Sequence, residues 1–208
     1  MSAPFHWLTF LQTLQSISQA GLAYPGDPYD KERFTQLRQL TAEAMAHISE
    51  LPVERIHTLF CNETGFQTPK IDTRAVILNE NNEILLVREG DLARWSLPGG
   101  WCEVTLSPAD NTIKEAAEEA GLEVKIQRLL MTQWYANHNT PASAYGCVKF
   151  FYHCIALGGQ FQPNLETSEA RYFPIDALPP LWENRNTAEQ LRTAHHLATH
   201  PDAAPLWE

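Results

Sequence analysis

Over the first sixty residues apolar positions recur every three or four places. Trp7, Leu8, Leu11, Leu14 and Ile17 fall along one helical face, which predicts a helix. Tyr24-Pro25-Gly26-Asp27-Pro28-Tyr29 interrupts it, and Asp27 before Pro28 supplies a cap and first-turn pair for a second helix reaching Glu50. A short third helix can start at Pro52. The stretch Cys61–Pro69 loses this periodicity and is rich in turn formers, so the boundary is placed there. From Ile71 the chain changes to short β-rich runs. Strands are expected at Ile71–Leu78 and Glu83–Arg88, with Asn79-Glu80-Asn81-Asn82 as a hairpin turn, and later at Val124–Trp134, Gly146–Leu157 and Ala170–Phe173. Ser107-Pro108 with Asp110 opens a helix that Gly121 closes, and a capping-box pair, Thr187 and Gln190, opens a last helix to Thr199. The tail Pro201–Glu208 has no such signals and is expected to be loosely held. Strands interleaved with helices imply an α+β fold in which helices cover a mixed sheet. The expected division is a small all-helical domain over 1–62 and a second domain over 68–200.

Composition narrows the classes. The 208 residues are 44% hydrophobic and 19% charged, so neither disorder nor a fibre is indicated. No apolar run approaches the roughly 20 residues that span a bilayer, and Met1–Phe10 lacks a basic region followed by an apolar core. The expectation is therefore a cytoplasmic protein with no membrane partner. A formal net charge of −10 argues against a broad phosphate-binding surface and disfavours nucleic acid as a partner, while a small phosphorylated ligand held through metal remains compatible. Cys61, Cys102, Cys147 and Cys154 match no zinc or disulfide spacing and read as reduced thiols.

The candidate chemistry lies in Lys114-Glu115-Ala116-Ala117-Glu118-Glu119-Ala120-Gly121. Spacings of three and four place the carboxylates of Glu115, Glu118 and Glu119 on one helical face, where they repel unless a cation neutralises them. Oxygen-only ligands point to a hard ion, Mg2+ or Mn2+. On its own such a cluster is more often a solvated acidic face. Upstream, Trp95-Ser96-Leu97-Pro98-Gly99-Gly100-Trp101 ends a β-like run with two glycines, whose backbone can approach a ligand closely.

Together these segments resemble the Nudix box: Gly100, Glu115, Ala116, Glu118, Glu119, Gly121 and Leu122 fall on its pattern. Two positions depart from it, with Leu106 at the early glutamate and Lys114 at the arginine. These side chains often pair in the family; here Lys114 keeps a positive charge but loses the bidentate fork of arginine. The resemblance implies a Nudix α/β/α sandwich over Ile71 to Leu191. It also implies Glu115, Glu118 and Glu119 as metal-binding or water-activating groups, with the Gly99 or Gly100 carbonyl as a further ligand, and Glu166 as an additional ligand or base. Glu103, Trp101, Arg74 and Arg88 are candidate substrate contacts, the arginines because a diphosphate needs positive charge beyond a metal. Glu169 shares the Glu166 segment. Trp95, Trp134, Tyr135 and Tyr145 are further stacking candidates that could equally fill a core, and His138 reads as a solvated loop residue.

The segments Gly21–Tyr24 and Tyr29–Phe34 resemble the subgroup with a helical N-terminal extension, associated with homodimers. Characterised members are pyrophosphatases for ADP-ribose or CDP-choline. The expected activity is hydrolysis of a nucleoside diphosphate linked to X, giving a nucleoside monophosphate and phospho-X. The alternatives are a non-catalytic Nudix-fold nucleotide sensor and an RNA-end pyrophosphohydrolase or nuclease. The sensor's usual DNA-reading module would be basic, whereas residues 1–60 hold more acids than bases, and the overall acidity of the chain disfavours the RNA-end reading.

Overall fold

The computed structural model describes residues 5–24, 26–49, 51–61, 64–89, 93–140 and 146–208. Pro25, Glu50, Asn62, Glu63 and Tyr145, each used in a sequence-based expectation, lie outside these. The chain forms two compact units, Met1–Pro69 and Lys70–Glu208.

The first unit is helical: α1 (Trp7–Ala23), α2 (Pro28–Ser49) and α3 (Val53–Phe60). Asp27 caps α2 by accepting from the N–H groups of Tyr29 and Asp30. Gly21 sets the approach of α1 to α2, since a Cβ there would overlap the Phe34 ring. The buried positions of α1 are Leu11, Gln15, Ser18 and Gln19. Of the apolar residues read along one face, Leu11 is buried, while Trp7 is 58% and Ile17 49% exposed, and Phe5, Trp7 and Phe10 pack edge to edge at the surface.

The second unit contains β1 (Lys70–Ile77), β2 (Ile84–Glu89), β3 (Arg94–Ser96), α4 (Pro108–Ala120), β4 (Leu122–Trp134), α5 (Tyr135–His138), β5 (Cys147–Gly159), β6 (Thr167–Phe173) and α6 (Ala188–Thr199). The strands form two three-stranded sheets, ordered β1-β5-β4 and β3-β2-β6. In the first, β1 runs parallel to β5 and β4 antiparallel to it; the second is antiparallel throughout. The turn after Leu78 is built as expected, with the Asn79 carbonyl oxygen of the side chain accepting from the N–H groups of Asn81 and Glu83. It does not make a hairpin, because beyond the Leu78–Ile84 bridge β1 and β2 enter different sheets.

Strand alternation divides the core in two. Ala75, Ile77, Leu85 and Val87 point to one side and pack with Ala116 and Ala120 of α4. Val76, Ile84 and Leu86 point to the other and join Leu130, Met131 and Phe151 under Leu191, Ala194 and Leu197 of α6. Full burial of each Val, Leu or Ile contributes about 1.5–3 kcal/mol, so both helices are fixed by packing. Cys147 and Cys154 are buried free thiols, whose ionisation burial pushes up to about 12.

The tail is bound rather than loose. Leu206 exchanges backbone hydrogen bonds with Leu130 and Thr132 on β4. The Arg128 guanidinium donates to the carbonyls of Leu197, Pro201 and Ala203. His138 is likewise engaged, 2.6 Å from the Glu208 carboxylate.

Candidate active site

Helix α4 begins at Ser107, whose hydroxyl oxygen accepts from the Asp110 N–H at 3.1 Å, and ends at Gly121 in the left-handed region (φ 66°). These signals fix which side of the last turns meets the sheet. Ala116 and Ala120 pack inward and bring Glu119 with them, to 6% exposure.

The Pro98-Gly99-Gly100 loop meets this turn. The Thr73 N–H donates to the Gly100 carbonyl and the Ala75 N–H to the Pro98 carbonyl, so β1 holds the loop from below. Gly99 has φ 143°, and a Cβ there would overlap the Thr73 carbonyl oxygen, so only glycine fits. Its N–H donates to Glu119 Oε2 at 2.8 Å. At Gly100 a Cβ would lie 3.3 Å from Glu115 Oε1, so the absence of a side chain makes room for that carboxylate.

Burial pushes the Glu119 carboxyl up to about 7, against the pull of the Gly99 N–H and of Arg74. Burial also raises Glu115, with Glu118 and Glu166 adding repulsion and Lys114 and Arg74 opposing it. Glu166 is placed by Asn164. The Asn164 side-chain oxygen accepts from the N–H groups of Glu166 and Thr167, while its amide donates to the Glu118 carbonyl at 2.8 Å. The Thr167 hydroxyl donates to the Glu119 carbonyl. The segment before β6 is thus latched to the end of α4.

Other candidates stand elsewhere. Glu118 has a 55% exposed side chain and is paired with Lys114, which also reaches Glu103 at 3.3 Å. Lys114 therefore keeps acidic partners despite Leu106. Arg74 is corrected from a substrate contact to a buried structural cation: at 0% exposure its guanidinium forks onto both Asp72 oxygens (2.8 and 2.6 Å) and donates to the Leu97 carbonyl. Burial opposes its charge, but Asp72 beside it outweighs that and holds it protonated. Lys149 completes the cluster 3.1 Å from Asp72, its ammonium drawn down to about 8 by burial. Arg88 faces β6 and lies 3.7 Å from Glu169. The charge of its neighbour Glu89, which accepts from the Ser96 hydroxyl and pairs with Arg185, adds to the rise of the Glu119 carboxyl and favours the charge on Arg74. A register shift between Arg88 and Glu89 accompanies this, and no sequence pattern announces a β-bulge of that kind. Trp101 is 51% exposed, while Trp95 is buried edge-on against Phe173.

Comparison with known proteins bears on this arrangement directly. Residues 68–194 match the NUDIX domain, and residues 6–60 match a family described as a UDP-X-like, N-terminal oligomerisation domain. The chain belongs to the Nudix family. It is an enzyme, a Nudix hydrolase, and is 43% identical over 202 residues to YjhB of Bacillus subtilis (strain 168), named as a candidate ADP-ribose pyrophosphatase, with 97% of each chain covered. Among solved structures it is similar to an ADP-ribose pyrophosphatase from Streptococcus suis 89-1591, at 44% identity and TM-score 0.63, covering 68% of this chain and 100% of that one. It is also similar to a UDP-X diphosphatase, at 33% identity and TM-score 0.65, covering 97% and 98% of the two chains. Among the described residues no helix is long and apolar enough to cross a membrane.

Nudix hydrolases generally use divalent metal ions. Among the described residues no three His, Cys, Asp or Glu side chains are gathered as a ready metal site. Two carboxylates, Glu115 and Glu119, nevertheless flank a loop that a Cβ would obstruct, and both are held above their ordinary range by burial. Oxygen donors whose negative charge is uncompensated suit a hard divalent cation.

Proposed function

We propose that this chain hydrolyses the diphosphate bridge of a nucleoside diphosphate linked to X, of the ADP-ribose or CDP-choline kind, releasing a nucleoside monophosphate and phospho-X. The observation that carries this reading is the Glu119 carboxylate, buried at the foot of α4 and held by the Gly99 N–H, with Glu115 against Gly100.

In this reading Glu115, Glu119 and a carbonyl of the Gly99-Gly100 loop hold Mg2+ or Mn2+. The bound ion supplies Lewis acidity toward the phosphoryl oxygens and a lowered pKa for water. Glu166, tied to α4 through Asn164, accepts the proton of the attacking water. Glu118 stands outside this set while Lys114 holds it. Arg74 acts as a positioning residue, fixing Leu97 and thereby the glycine loop. Arg88 and Trp101 flank the substrate path, and Glu103 keeps Lys114 in place. The N-terminal unit joins two copies, a role suggested by the exposed Phe5, Trp7 and Phe10 and by the oligomerisation family it matches. We place the enzyme in the cytoplasm.

The test is product analysis with Mg2+ or Mn2+ and a panel of ADP-ribose, CDP-choline, UDP-sugars and nucleoside triphosphates. Glu119→Gln keeps an acceptor for the Gly99 N–H and removes the charge. It is expected to lower kcat by a factor of about 100 or more, the scale of losing a group that acts only in the transition state. Undiminished turnover in that variant would sink the assignment.

A further inference from the structure

Beside the glycine loop lies a cavity of about 280 Å3, lined by Trp101, which the proposed reading sets beside the substrate path, and by Tyr135, Trp182, Asn184, Arg185 and Asp72, to which it gives no contact with substrate. We infer that this cavity is the nucleobase subsite, with the base stacked on the Trp101 and Trp182 indoles and Arg185 as its fixed cation. This rests on the diphosphate-hydrolase reading and extends it to a substrate class: the aromatic end of the substrate, rather than the X group, is read here.

Three observations support it. The first is chemistry. Two indoles and a phenol line one small space, with polar groups from Asn184 and Arg185, a composition that suits a planar π-system with edge hydrogen bonds. The second is size. The volume lies at the small end of ligand pockets, about 300 Å3, so it accommodates one moiety and not a whole dinucleotide-sized substrate.

The third is preorganisation. The Trp182–Asn186 turn is closed by the N–H groups of Arg185 and Asn186, both donating to the Trp182 carbonyl. Lys149 Nζ donates to the Arg185 carbonyl at 2.6 Å. The Arg185 guanidinium lies over the Trp182 ring, 5.0 Å from its centre, and reaches Glu89 at 3.3 Å. The buried Asn186 side-chain oxygen accepts from the Leu97 N–H, so the pocket wall and the glycine loop hang from the same residue. On the opposite wall Trp101 directly follows Gly100. A base held in this cavity therefore sits one residue from the loop that borders Glu115 and Glu119.

Arg185 also accounts for a charge the sequence left unplaced. Arg74 is consumed by Asp72 and Leu97, and Arg88 faces Glu169. Arg185 is the half-buried arginine that lines a cavity next to the loop.

The full-length, metal-free protein is titrated with UMP, AMP, ribose 5-phosphate and inorganic phosphate while tryptophan fluorescence is followed. At least one nucleoside monophosphate should quench saturably, and ribose 5-phosphate and phosphate should not. In steady-state assays Trp182→Ala should raise KM for the cleaved nucleotide about tenfold, with kcat within about threefold of wild type. Trp182→Phe, which keeps a stacking face, should restore most of the KM. Equal quenching by ribose 5-phosphate would overturn the assignment in favour of a sugar or X-group pocket. So would absence of quenching together with an unchanged KM in Trp182→Ala. If Trp182→Ala fails to fold, the wild-type titration and Trp182→Phe decide. An absence of turnover across the whole panel would defeat the hydrolase substrate reading, while the titration would still judge the cavity.

Discussion

Helices α4 and α6 cover opposite faces of the same sandwich and are built alike at their starts, yet one carries a cost the other avoids. Each begins with a hydroxyl cap, Ser107 or Thr187, and each is fixed by small or aliphatic residues on strands. Helix α6 buries Gln190, Leu191, Ala194 and Leu197, and its polar member is satisfied by Gln133, Asn139 and its own cap. Helix α4 buries Glu119, whose charge meets only the Gly99 N–H and a distant share of an arginine already committed to Asp72. The structural helix minimises its free energy locally. The other retains an unfavourable charge, which has a use only when a cation arrives, and a buried, weakly compensated carboxylate is a familiar mark of a functional site.

Three measurements sharpen this contrast beyond the loss of turnover expected for Glu119→Gln. The largest effect on stability should come from Gly99→Ala. The new methyl would collide with the Thr73 carbonyl at a φ that alanine rarely adopts, so denaturant melts should show a loss of about 3 kcal/mol or more. A loss below about 0.5 kcal/mol would mean the loop is free to move away from β1.

The next concerns pH. The folded-state value of Glu119 is raised from 4.5 to about 7, so the native protein binds more protons than the unfolded chain in between. The stability this provides is complete below pH 4.5 and is lost as pH rises through 7, by up to about 3 kcal/mol in chelator. Glu119→Gln should remove that slope and be the more stable protein at pH 8 without metal, with little difference at pH 4.5. Added Mn2+ should raise the melting temperature of wild type more than that of the variant. Parallel pH profiles for both proteins would contradict the buried-charge account.

The smallest effect belongs to the caps. Thr187→Ala should cost about 1 kcal/mol with kcat unchanged, because α6 touches no proposed reacting group. Ser107→Ala should cost a similar amount and also lower kcat, since α4 carries both carboxylates. If the two caps affected kcat equally, the two helices would not differ in role.

Much of this arrangement was legible beforehand because it depends on local rules. Ser107, Gly121, Thr187 and Gln190 mark helix ends through hydrogen bonds made within a few residues, and the sequence reading placed those ends where the structure has them. The glycines of Pro98-Gly99-Gly100 read as room for a ligand, whereas the close approach in the structure is that of Gly99 to the Thr73 carbonyl on β1. What was illegible depends on partners distant in sequence. Periodicity told which residues of α1 share a face, but Trp7 and Ile17 point outward because Gln15, Ser18 and Gln19 meet the rest of the unit. For Arg74 the distant partners are the Leu97 carbonyl, which accepts from its guanidinium, and Lys149, which shares Asp72 with it; no spacing in the sequence points to either. Asn164 carries no motif at all, and its role comes from reaching Glu118, 46 positions away. The tail reads as loose because most of its ties run through backbone groups, which every sequence possesses, and because the partners of Glu208 lie about 70 positions away.

That tail has a consequence for handling the protein. In the first sheet β4 is an outer strand, and on its far side the groups around Leu130–Thr132 are occupied by Leu206. Removing residues 201–208 would free the Leu130 carbonyl and the N–H groups of Thr132 and Trp134 on this outer strand, adding unpaired groups to an edge onto which another chain can add a strand. Trimming these eight residues is therefore expected to favour edge-to-edge association, which would show as a shorter lifetime in solution at high concentration.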